Sequence, residues 1–231
     1  MSQDRAVYRY AVYAIDPAWR RLPAEDRRQH KKELAAALSS VDGAEIYPYS
    51  TVGLREDGDF LLWTVAWDIE PVQRAQAAIN ACEVAGWLTV THSFLAMTRK
   101  SQYLKGHSHD GQEHAERPGP RGDTCLFVYP MDKERRWYRV PFEERRAMMV
   151  EHFKIGHKYP AVKIHTGYSF GIDDQEFVVA FEGESLAEFL ELVEELRGSG
   201  ASAYTARDVP IFTCVKAPMD AILDQLDGAA R

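Results

Sequence analysis

Apolar and polar residues alternate from Ala6 to Ile15, with Val7, Tyr8, Tyr10, Val12 and Tyr13 all good strand formers. The pattern then changes period. Pro23 near a helix start, with Glu25 and Asp26 in the first turn where the helix dipole favours acids, predicts a helix to about Ser39. Glu45–Val52 reads as a strand, Gly53–Asp59 as a turn, and Phe60–Trp67 as a second alternating strand. A helix over Glu70–Ala85 and a strand over Leu88–Thr98 complete the first half. The order then repeats: strand Leu126–Met131, a helix from Pro141 to about Lys158, strands Val162–Phe170 and Glu176–Glu182, and helix Leu186–Arg197. That last helix carries Leu186, Phe189, Leu190, Val193 and Leu196 on one face. Ala201–Cys214 holds the final strand.

The two halves share more than their order of elements. Trp19-Arg-Arg-Leu-Pro-Ala-Glu-Asp-Arg-Arg28 is echoed by Trp137-Tyr-Arg-Val-Pro-Phe-Glu-Glu-Arg-Arg146. Each follows a Tyr-x-x-Asp, Tyr13–Asp16 in one and Tyr129–Asp132 in the other. The offset is 118 positions, as from Pro23 to Pro141 and from Gly53 to Gly171. Two βαββαβ units in tandem predict an α+β protein of ferredoxin-like halves that pack their sheets together. The predicted organisation is a half over residues 1–98, a connecting loop over 99–123 and a second half over 124–231. The loop is polar and long enough to be either a linker or a functional segment over a site.

At the repeat offset His152 falls opposite Leu34. A duplicated fold needs the same core twice, but it needs a ligand only where something binds. The break in symmetry therefore marks His152 as a candidate iron ligand, beside its plain reading as a satisfied core histidine. Tyr129 is either a half-buried sheet tyrosine, as Tyr13 suggests, or a phenol placed for one-electron chemistry. Arg197, Arg117, Lys133 and Ser202 are ordinary singly, but as a group they suit carboxylates. His107, His109 and His114 in the loop lack the spacing of a zinc site.

The formal charge of −7 argues against nucleic acid as a main partner, since phosphate contacts need basic patches. No apolar run has the length of a membrane span, and the polar N-terminus lacks a signal peptide's apolar stretch. Cys82, Cys125 and Cys214 have no metal-binding spacing and read as reduced core residues, which predicts a cytoplasmic location. No P-loop, dinucleotide glycine pattern or Ser-His-Asp signature is present.

Tyr129-Pro-Met-Asp-Lys133, Trp137-Tyr-x-Val-Pro-x-Glu-Glu-Arg145, Glu151-His152, Tyr159, Gly171-Ile-Asp-Asp-x-Glu176, Glu195-Leu-Arg197, Ala201-Ser202 and Pro210-Ile-Phe212 together resemble the chlorite dismutase family. Within it they look most like the coproheme decarboxylases. The resemblance implies tandem ferredoxin-like repeats forming a dimeric α/β-barrel-like domain, a homopentamer, and one heme-type group in the second half. It implies His152 as proximal iron ligand and Tyr129 as a catalytic tyrosyl radical. Lys133, Arg197, Ser202 and Arg117 would bind porphyrin propionates, and Met131 would line the pocket. The implied reaction turns two propionates of iron-coproporphyrin III into vinyl groups with hydrogen peroxide, giving heme b. A chlorite dismutase-like heme peroxidase and a non-catalytic heme binder are the alternatives. The family's chlorite-degrading members carry a distal arginine on the strand after the proximal helix, where this chain reads Val162-Lys-Ile-His-Thr166. Alternation lets only one of Ile164 and His165 face the iron. His107 resembles the loop histidine that actinobacterial members use as a base toward peroxide. Phe153 stands beside the ligand where a glycine is usual.

Overall fold

The computed structural model describes residues 5–103 and 118–228. The chain divides into two compact units, one running up to Met97 and resuming at Phe212, the other spanning Thr98–Ile211.

In the first unit the strands are β1 (Val7–Ile15), β2 (Ala44–Ser50), β3 (Phe60–Ala66), β4 (Leu88–Thr98) and, late in the chain, β9 (Phe212–Lys216). Antiparallel pairing gives the order β4-β1-β3-β2-β9. Helices α1 (Ala24–Ser39) and α2 (Ile69–Asn80) pack on one face. There Tyr13, Phe60, Leu62, Leu34 and Ile79 form a closed core with Trp19, whose Nε1 donates to buried His30 Nδ1 at 3.0 Å. The predicted helix over 70–85 stops earlier. Cys82 turns extended, and Glu33 of α1 accepts the Glu83 N–H at 3.0 Å, so a short 3-10 turn replaces the last helical turn.

The second unit holds β5 (Cys125–Lys133), β6 (Lys163–Tyr168), β7 (Phe177–Gly183) and β8 (Thr205–Arg207), in the order β6-β7-β5-β8. Helices α3 (Phe142–Gly156) and α4 (Leu186–Arg197) cover one face. Phe127, Val179 and Phe181 of the sheet meet Ile155 of α3 and Phe189 and Leu192 of α4, with Phe127 and Phe189 stacked at 3.8 Å between ring centres. The repeat is visible in the elements themselves. β1 and β5 are offset from 7 to 125 and from 15 to 133, α1 and α3 from 24 to 142.

The single last strand expected over 201–214 is instead a 3-10 turn at Ser202–Tyr204, the short β8, and β9, which pairs with β2 in the first unit. Beyond it α5 (Met219–Asp227) returns to the first unit. Met219, Ile222, Leu223 and Leu226 bury one helical face in that core. Lys31 fastens the helix through Asp224 and Asp227, each at 2.5 Å.

Candidate functional site

Strand β5 supplies three of the sequence-predicted residues. Alternation puts Tyr129 and Met131 on the face that carries Phe127, toward α3 and α4, with Lys133 at the strand end. Tyr129 stacks on Phe181, 6.1 Å between ring centres, and opens into a cleft of about 460 Å³. Phe189, Leu190, Val193, Glu194 and Arg197 of α4 line that cleft together with Ile211. Burial pushes the Tyr129 phenol up to about 12, Asp208 adding to the rise and Arg197 opposing it, so the group is neutral at ordinary pH.

Lys133 is held at both ends. Its backbone N–H donates to Glu176 Oε2 at 2.9 Å. Its Nζ donates to Ala201 O at 2.7 Å and Thr205 Oγ1 at 3.2 Å, and lies 5.2 Å above the Trp137 ring. That brings it against the turn opened by Ser202. Burial pushes Lys133 down to about 8, against the carboxylates of Asp208 and Glu176. Glu176 is a buried hub: it also accepts from Arg135 at 3.2 Å and Tyr138 OH at 2.5 Å, and its own N–H donates to Asp132 Oδ1.

His152 lies on α3, one turn before Ile155, which packs into the second core. Its Nδ1 is buried and has no hydrogen-bond partner among the described residues. Burial pushes the imidazole down to about 4, the Lys133 charge adding to the fall and Glu151 opposing it. The ring is therefore neutral and carries a lone pair, as a metal ligand must. Phe153 stands edge-on to it, 6.2 Å between ring centres. Glu151 Oε2 accepts the Gly200 N–H at 3.1 Å, tying α3 to the turn that leads to Ser202. Gly200 permits this approach, since a Cβ there would stand 3.1 Å from the Met148 side chain.

Arg197 ends α4 and reaches Asp208, Nη2 to Oδ2 2.5 Å. Ser202 is half-buried at the start of its turn. The structure thus gathers Tyr129, Met131, Lys133, His152, Arg197 and Ser202 in the second unit. It separates Ile164 from His165. Ile164 is opposite Phe181 in the ladder and so shares the face of Tyr129. His165 is opposite Ala180, on the other face, where its Nε2 meets buried Glu182 at 2.7 Å. Glu182 also accepts the backbone N–H groups of Arg121 and Gly122 at 2.6 and 3.3 Å; against the upward push of burial, His165 first and then these N–H groups hold Glu182 below the usual carboxylate range. His107 and Arg117 lie outside the described residues, as do His109 and His114. Sequence reasoning passed over Asp208, which has no pattern to single it out, and left the roles of Asp132 and Glu176 unread. Among the described residues no cluster of three His, Cys, Asp or Glu is placed to hold a metal, and no helix is long and apolar enough to cross a membrane.

Two ferredoxin-like units, the second with a cleft at Tyr129 and Arg197 and a buried neutral histidine on α3, define a class. A family model described as chlorite dismutase matches residues 27–217, and the chain belongs to that family. A coproheme decarboxylase from Mycolicibacterium smegmatis is 28% identical over 221 residues, covering 94% of this chain and 92% of that protein. Another from Staphylococcus carnosus is 30% identical over 210 residues, covering 81% and 82%. The fold matches the structure of a chlorite dismutase from Candidatus Nitrospira defluvii in complex with imidazole, with a TM-score of 0.87 at 24% identity, over 96% of this chain and 95% of that one.

Proposed function

We propose that this protein is a coproheme decarboxylase, converting two propionates of iron-coproporphyrin III to vinyl groups with hydrogen peroxide and yielding heme b. The observation that carries the reading is His152: a neutral imidazole whose buried Nδ1 lacks a partner, in the half of the repeat where the other copy has leucine. A buried polar atom without a partner costs roughly 1–3 kcal/mol, and a neutral imidazole keeps one nitrogen lone pair free for iron. The relatives named coproheme decarboxylase support the choice of reaction.

The bound iron, with peroxide, supplies the oxidising equivalents. Each propionate loses carbon dioxide, one proton and two electrons to become a vinyl group, so each consumes one peroxide. Tyr129 serves as the protein's electron donor. Its phenol is neutral, so losing an electron means losing its proton too, and the neutral radical then removes a hydrogen from the propionate. Arg197, in the same cleft, and Lys133 and Ser202 bind carboxylates and set which carbon faces Tyr129. Met131 and Ile164, on the same sheet face as Tyr129, would line the porphyrin pocket. His165 is left out of it, because Glu182 engages its ring on the opposite side of the sheet. His107 and Arg117 remain part of the proposal as base toward peroxide and propionate ligand. A homopentamer in the cytoplasm belongs to the same reading, and light scattering checks the assembly.

The deciding experiment mixes the purified protein with ferric coproporphyrin III, adds peroxide in steps and follows the porphyrins by chromatography with mass detection. Loss of one and then two carboxyl groups is the expected result. Bound but unchanged porphyrin would overturn the reading.

A further inference from the structure

Asp208 follows β8 directly, and its position is fixed from behind. Arg207, the preceding residue, donates from Nε to Asp132 Oδ2 at 2.7 Å, which pins it to β5. Asp208 Oδ2 then lies 2.5 Å from Arg197 Nη2, with 22% of its own side chain exposed against 51% for the arginine. Three residues further on, Ile211 joins Arg197 and Tyr129 in lining the cleft. The negative charge of Asp208 also reaches Tyr129 and Lys133. One carboxylate of the protein thus acts on two groups to which the proposed function assigns a substrate carboxylate, Arg197 and Lys133, and on the phenol assigned the hydrogen abstraction.

An arginine already paired with a fixed carboxylate takes a second one only by giving up or sharing the first. When the bound group has become an uncharged vinyl, the guanidinium has nothing to pair with except that fixed carboxylate. We propose that Asp208 is a resident competitor for Arg197, a specificity-determining residue that weakens the grip on carboxylate-bearing porphyrin and re-pairs the arginine once the carboxylate has gone. Its effect is to narrow the difference in affinity between the substrate and a product lacking that carboxylate. The inference rests on the reading of Arg197 as a propionate ligand.

The test is a titration of ferric coproporphyrin III and of ferric protoporphyrin IX into wild-type protein, Asp208→Asn and Asp208→Ser, each checked for native circular dichroism. Asparagine keeps the shape and removes the charge. The expected result is about tenfold tighter coproporphyrin binding, about 1.4 kcal/mol, with protoporphyrin affinity changed less than about twofold, and with the gain absent when Arg197→Gln is combined with Asp208→Asn. Asp208→Glu, which retains the charge, is expected to keep the wild-type ratio. Unchanged or weaker coproporphyrin binding, an equal gain for both porphyrins, or a gain that survives Arg197→Gln would overturn the competitor role alone. Wild-type protein that binds no coproporphyrin would overturn the proposed function as well.

Discussion

His152 combines two properties that a purely structural histidine rarely shares: it is neutral because it is buried, and its Nδ1 has no partner among the described residues. Replacing it by leucine, the residue at the matching place in the first unit, is expected to raise stability by about 1 kcal/mol through loss of the orphaned group, while abolishing iron ligation. Urea unfolding and the absorption spectrum of added ferric coproporphyrin check the two halves of that statement. The pH dependence follows from the sign of the shift. With a folded value near 4, the imidazole stays deprotonated well below the usual histidine range, so ligation should persist down to about pH 5 and fail only below it. A spectroscopic midpoint near 6.5 would contradict this. At Tyr129 the phenol, and not the ring, is assigned the chemistry. Tyr129→Phe keeps the stack on Phe181 and is expected to bind coproporphyrin with little change while its decarboxylation, followed by mass detection, falls by at least about 100-fold, some 2.7 kcal/mol in barrier.

At the level of elements, β5 delivers the site because its two ends are fastened differently. Its first seven residues, Cys125–Met131, are locked in a ladder with β7, while its far end is held by side chains: Asp132 takes the Glu176 N–H, and Glu176 takes the Lys133 N–H. Glu176→Gln removes the charge from an acceptor shared by Lys133, Arg135 and Tyr138. The expected cost is about 1–3 kcal/mol, read from the urea midpoint. Lys133 adds a second pH effect. It is charged below about 8, so coproporphyrin affinity should fall as pH rises through that value, and Lys133→Met should flatten that limb of the profile. On β6 the alternation between Ile164 and His165 has a clear outcome, because Glu182 claims the histidine on the face away from Tyr129.

For the molecule as a whole, the proposed function puts one fold to two uses. In the first, Leu34 is fully buried in a core completed by Met219, Ile222, Leu223 and Leu226 of α5, and Tyr13 spends its hydroxyl on Gln76 at 2.7 Å. Placing a histidine there by Leu34→His is expected to destabilise the protein by about 2–4 kcal/mol and to leave porphyrin stoichiometry unchanged, both measurable in one titration and one melt. The sequence by itself determined the two βαββαβ units, their helices and the odd histidine, because period, turn residues and an internal repeat are local properties of the chain. No element predicted from the sequence extends past Cys214, so α5 went unread there; its contacts with the first core are what reveal it. The split of the last strand, the choice between Ile164 and His165, the neutrality of His152 and the pairing of Arg197 with Asp208 were decided by tertiary structure. Each depends on groups far apart in sequence meeting at one place, where burial and charge act over ångströms in space and carry no record in the local pattern.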